Sequence, residues 1–150
     1  MKDFLWADVT RITSVTRVRL HQWIELGYVT PSIQRAEGTG RRHIWSRPDL
    51  VKIILLKRLI DGGMHRKKAA EVVTDLNTEP LFRKNRPLAE IMQVCTKADK
   101  SIDVAITPID ASGPGNTFDY SRALQENLKN SESVININLT EIAQHIEKES

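Results

Sequence analysis

The 150-residue chain has one cysteine, Cys95, which excludes an intrachain disulfide framework and any all-cysteine metal cage within one chain. No apolar run approaches the roughly 18 residues that a membrane-spanning helix needs. The opening MKDFLWADVT has neither the basic start nor the apolar stretch of a secretory leader. Phosphate-cradling patterns are missing too: the loop Gly113-Pro114-Gly115-Asn116 matches neither GxxxxGK[ST] nor GxGxxG and reads as a plain turn. The four histidines, His21, His43, His65 and His145, form no HExxH or ligand pair, and no serine or cysteine has a recognisable base near it in sequence. Asp103, Asp110 and Asp119 follow no metal-ligand spacing and read as an acidic solvated face. The expectation is a chain that is not an enzyme, with no catalytic residues, no cofactor and no metal.

What is present is an ordinary globular balance, 40% hydrophobic and 27% charged, enough for one domain or two very small ones. The charge is unevenly distributed. Residues 1–76 carry 14 Lys+Arg against 8 Asp+Glu, whereas residues 101–150 carry 3 against 8. A basic front joined to an acidic back suggests that the front meets a polyanion while the back does something else.

The front half reads as short helices with tight punctuation. Trp6, Val9 and Ile12 recur at helical spacing, a turn follows around Thr13–Thr16, and a second pattern runs through Val18, Leu20, Trp23, Ile24 and Leu26 to a stop at Gly27. Thr16 is available as N-cap of the second helix, which makes the pair a helix-turn-helix pattern. Tyr28–Ser32 starts an extended run, Glu37-Gly38-Thr39-Gly40 is a turn, and Arg41–Trp45 reads as a returning strand, giving a cationic hairpin or wing. Ser46, Pro48 and Asp49 then form a capping-box start to a helix running to Gly62-Gly63, and a fourth helix spans about Arg66–Leu76.

Helix, turn, helix, basic hairpin, helix, helix is the order of a winged helix-turn-helix domain, and over roughly residues 5–76 it resembles the MerR family of transcription regulators. The residues that carry the resemblance are ITSVTRVRLHQWIELGYVTPS, GTGRRHIWSRPDLVKI and LLKRLIDGGMHRKKAAEVV, with Val15, Leu20, Trp23, Gly27, Pro31, Arg42, Trp45, Asp49, Leu50 and Gly63 at matching positions. The chain departs from the family with His21-Gln22-Trp23-Ile24 where Arg-Tyr-Tyr-Glu is usual, and with Ser14 where glycine is common. The resemblance implies a homodimeric, bacterial-type regulator, cytoplasmic and nucleoid-associated, that binds double-stranded DNA and distorts a promoter so that RNA polymerase can engage it.

On this reading Thr16, Arg17, Arg19, His21 and Gln22 lie at the end of the second helix that such motifs present to base edges, with arginine suited to guanine and glutamine to adenine. Arg35, Arg41, Arg42 and His43 would follow phosphates or reach the minor groove, and Lys67 begins a helix whose positive end also attracts phosphate. The alternative for each is a solvated basic surface. The rings of Trp6, Trp23 and Trp45 are expected in the core.

Residues 77–87 hold two prolines, Pro80 and Pro87, and read as a linker rather than the long coiled-coil helix of MerR relatives. Residues 88–150 read as a small α/β dimerisation or effector unit: a helix or strand at Leu88–Val94, a strand at Ile102–Ile106, a helix from Asp119 to Lys129, a strand through Ile135, Ile137 and Leu139, and a last helix capped by Thr140. The expected class is α+β. A different reading makes the chain an architectural or recombination accessory protein that bends DNA. A third makes the acidic half a protein-interaction module addressed to DNA by the front.

Overall fold

The computed structural model describes residues 2–87, 89–109, 125–126 and 129–150. Over these residues the chain is α+β, with helices and a three-stranded antiparallel sheet. It divides into two compact units, Met1–Phe82 with Ile142–Ser150, and Arg83–Glu141.

In the first unit α1 (Trp6–Thr13) and α2 (Arg17–Glu25) are joined by three residues. Ser14 makes this turn with φ 57°, in the left-handed region that glycine enters without strain. Buried Val15 pins the turn, and the Thr16 hydroxyl oxygen accepts the Arg19 N–H at 3.2 Å as the expected N-cap. Leu20, Trp23 and Ile24 form the buried face of α2. Val18 and Leu26, which belong to the same apolar pattern in the sequence, are both exposed. Val18 lies about 200° around the helix axis from Leu20, so a single stripe cannot bury both.

The central helix is α3 (Arg47–Asp61), apolar almost all round, with Leu50, Ile53, Leu55, Leu56 and Leu59 fully enclosed. Burial of each such side chain contributes about 1.5–3 kcal/mol. Its start is the capping box expected from Ser46 and Asp49. Asp49 does more than cap. Its Oδ2 accepts the Ser46 N–H at 2.8 Å, the Ser32 N–H at 3.0 Å and the Ser32 hydroxyl at 2.8 Å, tying the segment after α2 to the start of α3. The next helix, α4 (Arg66–Thr74), packs on α3 through Ala69, Ala70 and Val73 and begins with the His65 ring accepting the Lys67 N–H.

The hairpin between α2 and α3 is less regular than its sequence suggests. Only Gln34 and Ile44 pair across it, and Trp45 pairs instead with Phe4, a buried residue ahead of α1 that sequence reasoning missed. The ladder stops because the next amide, Ala36 N–H, donates to the His43 ring at Nδ1 (3.1 Å), and Gly38 and Gly40 turn the chain at positive φ.

In the second unit the sheet order is β2 (Ile102–Ile109), β1 (Ala89–Thr96), β3 (Ser133–Asn138), all neighbours antiparallel. The segment read as helix or strand is thus a strand. Met92 pairs with Ile106 and Ile137, and Val94 with Val104 and Ile135, so one face of the sheet is aliphatic. The last helix, α5 (Leu139–Glu149), begins in this unit and runs into the first, where Ile142, Ala143 and Ile146 are buried. Its cap is not Thr140. Asn138 Oδ1 accepts the Glu141 N–H at 3.1 Å, while the Thr140 hydroxyl oxygen, already inside the first turn, accepts the Glu90 N–H at 2.8 Å. Of the expected helix at 119–129, residues 125–126 and 129 are helical, as is residue 130; the rest of it, the 112–116 loop, Asp110 and Asp119 lie outside the described residues. Asp103 pairs with Lys97 at 2.7 Å. Among the described residues no helix is long and apolar enough to cross a membrane.

Candidate nucleic-acid interface

The first turn of α1, the outer face of α2 and the hairpin together enclose a groove of about 950 Å³. Leu5, Trp6 and Ala7 form one side, Arg17, Val18, His21 and Gln22 come from α2, and Ala36, Arg41, Arg42 and His43 come from the hairpin. The described lining residues include three arginines and no carboxylate. In a concave site such an arrangement concentrates positive potential.

Trp6 organises this groove. It was expected in the core with Trp23 and Trp45, and those two are buried, but Trp6 stays partly exposed. The Arg17 guanidinium carbon lies 5.7 Å from the Trp6 ring centroid, and the His43 ring meets Trp6 edge-on at 5.9 Å. One ring therefore joins the start of α2 to the hairpin. A half-exposed position at the first turn of α1, two residues after Phe4 pairs with Trp45, gives no core signal in the sequence.

His43 is held below its ordinary pKa, first by burial, then by the positive charges of Arg35 and His21. Its Nδ1 accepts the Ala36 N–H, so the neutral ring carries its proton on Nε2. Arg35 acts here through its charge and does not line the groove.

Of the remaining residues expected at the interface, His21 also lines the groove, and Thr16, Arg19 and Lys67 do not. Thr16 caps α2. Arg19 lies over the Trp23 ring at 4.9 Å and reaches Asp61 at 3.4 Å, tying α2 to the end of α3. Asp61 also takes Lys57 at 2.7 Å, and that hydrogen bond, with the charges of Lys57 and Arg19, holds its carboxyl below the usual range despite some desolvation. His21 lines the groove and faces Glu25 at 3.2 Å. Lys67 is exposed at the start of α4, beside Gly27 and Tyr28 in a separate shallow cleft. Sequence reasoning missed Leu5, Trp6, Ala7, Val18 and Ala36 as lining. Only Val18 carried a signal, as the lone aliphatic on the polar face of α2.

No family model matches the chain. It is similar to uncharacterised HTH-type transcriptional regulators of Mycobacterium bovis and of two strains of Mycobacterium tuberculosis, 29% identical over 102 residues, which is 63% of this chain and 44% of each relative. The chain thus spans less than half the length of the curated relatives it matches.

Proposed function

We propose that this chain is a DNA-binding transcription regulator of helix-turn-helix type, more narrowly of MerR type, which takes duplex DNA into the groove between α2 and the hairpin wing. The observation that carries the reading is that Arg17 and Gln22 of α2 line the same acid-free groove as Arg41 and Arg42. A helix fits the major groove and reads base edges, while hairpin cations beside it neutralise phosphates. The similarity to mycobacterial HTH-type transcriptional regulators supports the helix-turn-helix regulator part of this reading.

Residues 1–76 would then be the DNA-binding domain and residues 88–150 the unit through which two chains pair. The outer edge of β2 has no strand partner among the described residues, and Val104 and Ile106 on it are 39% and 42% exposed. A two-fold pairing through that edge would bury both and place two wings on an inverted repeat. RNA polymerase is the further partner that a MerR-type regulator would engage.

Selection of bound sequences from random duplex DNA, followed by footprinting, tests the proposal. It predicts an inverted repeat with a protected half-site for each chain. Duplex binding without sequence preference would favour the architectural reading instead. Sedimentation of the free protein at micromolar concentration as a monomer would remove the homodimer.

A further inference from the structure

Val18 is 70% exposed, the most exposed large apolar side chain among the described residues. It lies on the polar side of α2, one residue from Arg17 and one helical turn before Gln22, and it lines the groove with both. Leu5, 40% exposed, lines the same groove. Water surrounds this aliphatic surface on the free protein, and three arginines frame it. An apolar protein surface would not match such a frame. A polyanion carrying a small apolar group would.

In the major groove each base pair shows a distinct pattern, and its one apolar feature is the 5-methyl group of thymine. The other polar side chains along α2 are already engaged: Thr16 caps the helix, Arg17 lies over Trp6, Arg19 is bound to Asp61 and Trp23, and His21 faces Glu25. Val18 and Gln22 remain for base edges. They stand four residues apart on one face, about 6 Å along the axis, and the glutamine amide matches the N6 and N7 of adenine.

We infer that Val18 is a specificity-determining residue that packs on the 5-methyl group of a thymine in the major groove, within two base pairs of an adenine bonded by Gln22. The inference rests on the proposed DNA binding and goes beyond it by naming the base.

The test uses the full chain and the duplex recovered by selection from a random library. Each thymine of the half-site is replaced singly by uracil, which removes the methyl group and leaves the pairing face unchanged. Affinities are measured for the wild-type protein and for Val18→Ser, whose melting temperature is checked against wild type. The expected result is one thymine at which uracil weakens wild-type binding about fourfold, the worth of one buried methyl group, and at which Val18→Ser binds thymine and uracil alike. Equal wild-type affinity for thymine and uracil at every position overturns the inference and leaves DNA binding intact. So does a Val18→Ser protein that keeps the wild-type preference. Failure to select any duplex overturns both.

Discussion

The Arg17 guanidinium lies over the face of Trp6, 5.7 Å from the ring centroid, so the first turn of α2 is held by the first turn of α1. A pair of this kind on an accessible surface is worth about 0.5–1 kcal/mol. In urea denaturation, R17A, W6A and the double variant should give a coupling energy of that size. W6A should cost more than R17A, because it also removes the edge contact with His43. A coupling energy of zero would show that the contact has no energetic content.

Asp49 should be the most sensitive polar position of the first unit. D49A leaves the buried Ser46 N–H and the Ser32 N–H without an acceptor, while the Ser32 hydroxyl keeps Ser46 Oγ at 2.9 Å, at a cost of about 3 kcal/mol. D49N keeps one carbonyl oxygen and should cost about half as much. Equal, small losses for both substitutions in chemical denaturation would contradict the role given to this carboxylate.

Ser14 occupies a left-handed conformation at the end of α1. S14G should therefore stabilise the fold by about 0.5–1 kcal/mol, because glycine enters that region without strain. Thermal melting reads the sign directly. A lower melting temperature for S14G would mean that the serine side chain compensates for its backbone.

The His43 imidazole resists protonation in the folded protein, chiefly through burial and then through Arg35 and His21. In the unfolded chain it titrates near the ordinary histidine value, about 6.5. Below that value the unfolded state takes a proton that the native state refuses, so stability falls with pH. The contribution is whole above about pH 6.5 and is lost as pH drops through that value toward the depressed folded one. H43Q, which keeps an acceptor for the Ala36 N–H, should flatten the stability profile between roughly pH 7.5 and 5.5. An unchanged slope in the variant would refute this.

The α2 cap at Thr16, the Ser46–Asp49 capping box and the alternating strand through Ile135 and Ile137 were legible because each rests on local chemistry. The pairing of Phe4 with Trp45 was not, since it joins residues about forty positions apart through backbone groups that every residue carries. Arg19 looked like a base reader by its place on α2, and its partner Asp61 sits at the far end of another helix. Thr140 followed the general cap preference, but Asn138, two residues earlier, made the bond because the helix begins at Leu139. Trp6 was misplaced for a general reason. An apolar residue at helical spacing reads as core, and only the packed neighbours show which face turns outward.

The salt dependence of duplex binding tests the central claim most directly. Affinity for the selected duplex and for an unrelated one would be measured across a salt series for wild type, R41A and R42A. If the hairpin arginines meet phosphates, each variant weakens both duplexes alike and lowers the slope of log K against log salt by about one unit. Wild-type slopes retained in both variants would contradict the account, because the groove of α2 and the hairpin would then not be where the protein holds DNA.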